Sequence, residues 1–191
     1  MEQQAEQLII EQTKKWITDV VVGCNFCPFA AREVKRDSII YEVLQHADME
    51  TTLQAVASTF SYLDEHPDTE TSLLILPGSF ESFEDYLQLV ELAESLLEQE
   101  EYEGIYQVAS FHPAYLFAGS NENDPANYTN RSPYPMLHFL REESVSQAVD
   151  SHPDIDDVPN QNISYTQEKG LAHMQQLLAA CLLPPNTTTE Q

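Results

Sequence analysis

The chain has few of the residues that mark the common cofactor-binding and hydrolase folds. Only five glycines occur among its 191 residues, and their spacing forms neither a phosphate-binding P-loop nor the glycine-rich turn of a dinucleotide-binding domain. The sequence also lacks a His-Glu-x-x-His zinc motif and a Gly-x-Ser-x-Gly nucleophile elbow. The usual signatures of nucleotide-binding proteins, zinc peptidases and α/β-hydrolases are therefore absent from the sequence.

Basic residues are scarce. Eight Lys and Arg residues face 32 Asp and Glu residues, which gives a net charge of -24. A surface of this charge repels phosphate backbones and anionic membranes, so we expect neither nucleic acid nor a membrane as a partner. The acidity is typical of a solvated surface that keeps a protein in solution.

Cysteine is also rare, and long apolar runs are missing. Three cysteines, at positions 24, 27 and 181, make an odd number that does not fit the disulfide framework of a secreted protein. The N-terminal residues lack the basic start and apolar stretch of a signal peptide. The longest apolar runs are too short to span a bilayer. We expect a cytoplasmic protein.

The periodicity of the apolar residues predicts an α/β fold. The length fits a single domain, which we place at residues 1–183, with a mobile tail at 184–191. The alternation of strands and helices predicts a four-stranded, mostly parallel or mixed sheet in the order β-α-β-α-β-β, with flanking N- and C-terminal helices. The direction of the fourth strand stays open because it follows a long loop. The strands are expected at 38–44, 71–76, 105–111 and 136–140, and the helices up to Gly23, at 49–64, from Ser79 or Ser82 to Gly104, at 142–149 and at 162–182.

The first motif is Cys24-Asn25-Phe26-Cys27-Pro28. A Cys-x-x-Cys pair can be a redox couple, half of a metal site, or two small buried hydrophobic residues. The pair follows a helix rather than a strand, which disfavours a thioredoxin-type couple. A second cysteine pair is missing, so we expect no metal. A functional thiol at Cys27 remains an alternative to the buried pair.

The second motif, Ser110-Phe111-His112-Pro113, lies at the C-terminal end of a predicted strand. Ligands bind at this edge in open α/β sheets. A histidine there can act as an acid or base near neutral pH. Equally, His112 can hold the following loop in place by hydrogen bonds.

The third motif is Asn130-Arg131-Ser132-Pro133-Tyr134-Pro135. The prolines stiffen the backbone, and a rigid loop that holds one arginine suits bidentate binding of a carboxylate or phosphate. In such an acidic chain, Arg131 can instead pair with an acidic side chain. Half of the eight basic residues lie in or beside the motifs, namely Arg32, Lys35, Arg36 and Arg131. A local positive patch of this kind favours a small anion.

These stretches carry a family resemblance. Residues 23–30, 107–119 and 127–135 resemble the uncharacterised bacterial domain-of-unknown-function family numbered fourteen-fifteen, and the resemblance runs from about the first helix to the last. In the family pattern the position of Cys24 is often another residue, whereas Cys27 matches. The resemblance therefore favours Cys27 as the shared thiol. The family has no established activity, so the resemblance implies a shared site without naming its chemistry.

Together, the motifs predict one site for a small anionic ligand, in a binding protein or an enzyme without cofactor or metal. Cys27 is expected as nucleophile or close packing partner, His112 as acid or base, and Arg131 as the anion clamp, all converging on one pocket. The other expected ligand-binding residues are Ser110, Tyr115, Asn130, Ser132, Tyr134 and Arg32. The alternative is a non-catalytic interaction module whose aromatic loop, residues 112–135, docks a protein partner. The oligomeric state is left open.

Overall fold

The structure is a computed structural model that describes residues 2–151 and 157–182. The tail expected at 184–191 and part of the connector before the last helix lie outside the described residues. The helices are α1 Glu2–Trp16, α2 Ala30–Arg36, α3 Met49–Glu65, α4 Phe83–Gln99, α5 Glu142–Ser151, α6 Val158–Lys169 and α7 Leu171–Cys181. The strands are β1 Ile39–Val43, β2 Thr71–Ile75, β3 Tyr106–Phe111 and β4 Met136–Arg141. A π-helical segment, Ile17–Val22, continues α1, and a 3₁₀ turn, Pro125–Thr129, lies between β3 and β4.

The four strands form one mixed sheet in the spatial order β1-β2-β4-β3. β1 and β2 are parallel, and β4 runs antiparallel between β2 and β3. The predicted α/β fold, with its four-stranded sheet and flanking helices, is confirmed. The sequence left the direction of the fourth strand open, and the structure shows that β4 is antiparallel to both β2 and β3. The chain leaves β3 through the loop 112–135 and returns beside β3 as β4.

Both faces of the sheet are covered by helices. Along β2 and the residue that follows it, Leu73 and Ile75 lie on one side, and Leu74 and Leu76 lie on the other. The first side, here called the α1 face, packs against α1, the π-helical segment and α7. The second side, the α4 face, packs against α3 and α4. All five residues of β2 are buried, as expected for a continuously apolar central strand.

Local signals explain where the helices begin. Asp48 accepts a hydrogen bond from the Thr51 backbone N–H at 2.8 Å and caps α3. Ser82, rather than the other candidate Ser79, accepts from the Asp85 N–H and caps α4. Side-chain caps of this kind satisfy N–H groups that have no partner within the helix.

Two predicted helix boundaries are wrong, and one helix was not predicted. Helix α4 ends at Gln99, before Gly104. The last helix is two helices, because Gly170 adopts a φ of 81° between α6 and α7 and interrupts the helical backbone. Helix α2 was missed, because its seven residues are too few to show a helical period.

Candidate functional site

A cavity of about 330 Å³ lies on the α1 face of the sheet. Its floor is formed by all four strands, and its walls by the end of α1, the π-helical segment, α2 and α5. The floor includes the small side chains of Thr71 and Ala109, which leave space that the helices above do not fill. The walls are mostly apolar, and the larger apolar side chains that line the cavity include Trp16, Phe29, Ile39, Leu73, Phe111 and Leu140.

Trp16 is fixed at the wall of this cavity. Its side chain is almost fully buried, and its ring meets Phe111 edge to face at 5.2 Å. The indole N–H donates to the backbone carbonyl of Arg131 at 3.1 Å. The junction of α1 with the π-helical segment thus ties the cavity wall to the loop 112–135.

Glu33, the buried carboxylate on the cavity wall, is already paired. Glu33 is buried and accepts hydrogen bonds from Arg32 and from the Ser38 hydroxyl. Burial by itself would raise the pKa of Glu33, but these hydrogen bonds and the charges of Arg32 and Arg36 together lower it. Glu33 is therefore a carboxylate near neutral pH and neutralises the charge of Arg32.

His138 is the main uncharged polar group on the cavity floor. Its Nε2 lies 2.6 Å from the hydroxyl of Thr71, which in turn donates to the carbonyl of Phe139 at 2.5 Å. Burial lowers the pKa of His138 to about 4. The imidazole is consequently neutral at physiological pH.

The structure places Cys27 and His112 on opposite faces of the sheet, so the predicted single pocket is wrong. Cys27 lines the cavity on the α1 face. The His112 ring packs on the α4 face, 4.9 Å from the ring of Tyr86 and 5.2 Å from that of Phe83. Successive residues of a strand point to opposite faces, so His112 turns away from the cavity that Phe111 lines.

Both ring nitrogens of His112 bond the backbone. Nε2 donates to the carbonyl of Phe80 at 2.9 Å, and Nδ1 accepts from the N–H of Ala114 at 3.0 Å. Burial lowers the pKa of His112, although the bond to Phe80 opposes this shift. This geometry corresponds to the loop-holding alternative.

Arg131 holds the loop 112–135 together. Its Nε donates to the Tyr115 carbonyl at 3.1 Å, and its Nη2 donates to the Glu122 carbonyl at 3.2 Å. The guanidinium also lies 4.7 Å from the ring centroid of Tyr128. Arg131 does not line the cavity, and its donors serve loop carbonyls.

The remaining predicted residues of the two loop motifs also make internal contacts. Asn130 donates to the Ser110 carbonyl at 3.3 Å, and the Ser132 hydroxyl donates to the Tyr134 carbonyl at 2.7 Å. The Tyr115 ring lies 5.2 Å from that of Phe83. The Tyr134 hydroxyl donates to the side-chain carbonyl of Gln12. Of the expected site residues, Cys27 and Arg32 line the cavity.

The loop 112–135, all of which the structure describes, presents no broad aromatic surface. Tyr128 is buried, and Tyr115 and Tyr134 are half-buried. Phe117 is its one exposed aromatic residue, at 38%. A docking surface normally offers several exposed aromatic side chains together, so the interaction alternative has little support from this geometry.

The sequence reasoning missed the polar floor of the cavity, His138 and Gln107. One signal was available: each is a polar residue with an apolar residue on either side in its strand, Leu137 and Phe139 around His138, Tyr106 and Val108 around Gln107. A polar side chain on the covered face of a strand needs a partner or a ligand.

Among residues 2–151 and 157–182, no group of three His, Cys, Asp or Glu side chains is arranged to hold a metal ion. The expectation of a protein without a metal stays a prediction. None of the helices in the same ranges is long and apolar enough to cross a membrane.

The three cysteines are free thiols with different surroundings. Cys24 and Cys181 are buried, and burial raises the pKa of both, that of Cys181 to about 11. Cys27 is half-buried at the cavity wall. In the folded protein we expect the Cys27 thiol to react with a disulfide reagent at least about tenfold faster than the thiols of Cys24 and Cys181, because buried protonated thiols react slowly.

Release of the thiolate chromophore from Ellman's reagent measures these rates. The Cys27→Ser variant should lose the fast phase, and Cys24→Ser, the matched control, should keep it. A fast phase that survives in Cys27→Ser would contradict the assignment.

The fold and site define an α/β protein with an apolar cavity on one face of a mixed sheet. Residues 8–176 match the family described as Protein of unknown function (DUF1415), and the chain belongs to this family. No curated protein and no solved structure matches the chain.

Proposed function

We propose that the protein binds a small, largely hydrophobic molecule in the cavity of the α1 face. The observation that supports this proposal is the cavity itself, which has a volume of about 330 Å³, mostly apolar walls and a few polar groups. Protein interiors are packed densely, with few voids larger than a water molecule. Sites for small molecules have volumes of roughly 300 to 1,000 Å³ and are lined mainly by apolar side chains. The cavity lies at the lower end of this range.

The charges at the cavity favour a neutral ligand over an anion. The arginine expected as an anion clamp, Arg131, does not line the cavity. Arg32 does, but it is paired with Glu33. The second lining arginine, Arg141, donates to the backbone carbonyls of Leu63 and Thr69, and Glu70 adds a second carboxylate to the wall. An anionic ligand would meet as much negative as positive charge there, so little electrostatic attraction supports it.

Cys27 is our candidate for any covalent step on a bound molecule, because its thiol is at the cavity wall. Its base cannot be His112, which lies on the α4 face. We also propose a cytoplasmic location, which suits three free thiols in one chain.

A larger side chain at Ala109, on the cavity floor, would occupy the space of the ligand and so tests the proposal. Trp16, the single tryptophan of the chain, lines the cavity and reports on its contents by fluorescence. The probes are 1-octanol and methyl octyl ether, neither of which absorbs in the tryptophan band. We expect both to change Trp16 fluorescence in a saturable manner, and Ala109→Leu to weaken binding by at least about tenfold, since about 0.8 kcal/mol is lost for each methylene that the new side chain displaces.

Ala118→Leu is the matched control, because Ala118 is exposed and does not line the cavity. It should bind both probes as the wild type does, and urea unfolding should show that both variants are folded. Absence of saturable binding by the wild type, or equal binding by Ala109→Leu, would show that the cavity is not the site.

A further inference from the structure

The hydrogen bonds around Thr71 determine the tautomer of His138. The Thr71 hydroxyl has one hydrogen, and its 2.5 Å contact with the Phe139 carbonyl requires that hydrogen, because a carbonyl oxygen cannot donate. In its 2.6 Å contact with His138 Nε2, the hydroxyl oxygen must therefore accept. Nε2 carries the proton of the neutral ring, and Nδ1 has a lone pair.

Nδ1 of His138 faces the cavity. In the parts of the chain that the structure describes, every fully buried side-chain nitrogen or oxygen has a hydrogen-bond partner. The His138 side chain lines the cavity and is bonded through Nε2 to Thr71. Since no other described group bonds this ring, Nδ1 is accessible from the cavity and is free to accept a hydrogen bond from a ligand.

The side-chain amide of Gln107 is the second free polar group on the cavity floor. Gln107 lies on β3 and is half-buried, and no hydrogen bond joins its amide to another of the described residues. Ala109 is the cross-strand partner of His138, and Gln107 precedes it by two positions. Gln107 and His138 are thus diagonal neighbours on the same face of the sheet. The Cα atoms of such a pair are roughly 7 to 8 Å apart. One oxygen atom between the two side chains can bond both.

We propose that His138 and Gln107 recognise a hydroxyl group on the ligand, so that the cavity selects a hydrophobic alcohol or phenol. The hydroxyl donates to Nδ1 of His138 and accepts from the amide of Gln107. This inference rests on the proposed function and adds the chemical class of the ligand.

Two related ligand classes are disfavoured by the same geometry. An ether of the same shape has an acceptor for Gln107 but no proton for Nδ1. A carboxylate brings lone pairs toward the lone pair of Nδ1. The carboxylate would meet an N–H donor at Nδ1 only if His138 were protonated, and burial opposes this protonation.

Three probes with the same chain separate these classes: 1-octanol, methyl octyl ether and octanoate, titrated against the full chain and followed by Trp16 fluorescence. In the wild type, 1-octanol should bind about fivefold more tightly than the ether, as expected for one additional neutral hydrogen bond, and more tightly than octanoate.

Two variants assign the contacts. In His138→Phe the ring is kept but its acceptor Nδ1 is lost, and Thr71 can still donate to the Phe139 carbonyl. 1-Octanol binding should therefore fall about fivefold to the level of the ether, with ether binding unchanged. In Gln107→Met the donor to the ligand oxygen is lost, so 1-octanol and the ether should weaken by a similar factor. The two variants therefore have different signatures.

The outcomes distinguish this inference from the proposed function. If 1-octanol and the ether bind the wild type equally, if octanoate binds best, or if His138→Phe keeps the preference for 1-octanol, hydroxyl recognition is wrong and the cavity remains a ligand site. If the ether is unaffected in Gln107→Met, the role of Gln107 is wrong. If no probe binds the wild type, both proposals fail.

Discussion

Replacing Tyr86 by phenylalanine is expected to lower the free energy of unfolding by about 3 kcal/mol. The Tyr86 side chain on α4 is fully buried on the α4 face. Its hydroxyl donates to the carbonyl of Met136 at 2.7 Å and accepts from the N–H of Phe111 at 3.0 Å. Phe111 ends β3 and Met136 begins β4, so this single hydroxyl joins the two strands where the loop 112–135 leaves and rejoins the sheet.

The size of the effect follows from burial. Without the hydroxyl, a buried N–H and a buried carbonyl each lose a partner, at a cost of about 1 to 3 kcal/mol per group. Urea unfolding followed by circular dichroism measures the difference. Tyr62→Phe is the matched control: Tyr62 is 37% exposed on α3, and its replacement should change stability by less than about 0.5 kcal/mol. Equal effects of the two variants would contradict this role for Tyr86.

Acidification is expected to cost the wild-type protein about 2 to 3 kcal/mol more than it costs His138→Gln between pH 7 and about pH 4.5. In the folded protein, burial holds the pKa of His138 at about 4, below its usual value of 6.5. Between these two pH values the unfolded chain binds a proton that the folded chain does not. Stability must therefore fall as the pH drops below the unfolded pKa, until the folded pKa is reached.

The comparison between proteins isolates His138. The pKa of His112 is also lowered by burial, and it adds a loss of the same sign to both proteins. The many carboxylates titrate in both proteins as well, so they cancel in the difference. Urea unfolding at the two pH values gives the four free energies that are needed. If the variant loses as much stability on acidification as the wild type, His138 is not buried in its neutral form.

Much of the fold could be predicted from local sequence because the signals are local. The continuously apolar sequence of β2 indicates a strand covered on both faces, and it is the buried second strand of the sheet. The helical periods of α3 and α4 result from burying one side of each helix. The seven residues of α2 are too few for such a period, and its position depends on how the chain after Gly23 packs.

The candidate site was only partly predictable. Cys27 and Arg32 were expected at a site, and both line the cavity. The motif that contains His112 does contribute to it, but through Phe111. A one-residue step along a strand moves a side chain to the opposite face, and only the position of the helices decides which face has the cavity.

By itself, the sequence determined the class of the fold, the β-α-β-α-β-β order of the sheet region and the three motifs, because apolar period, turn residues and prolines act over a few neighbouring residues. The tertiary structure decided the direction of β4, the separation of His112 from Cys27 and the meeting of Gln107 with His138. The tertiary structure also created the cavity, which is a space between strands and helices that do not pack directly against each other. No single segment encodes such a space, because it depends on the packing of four strands against four covering elements at once.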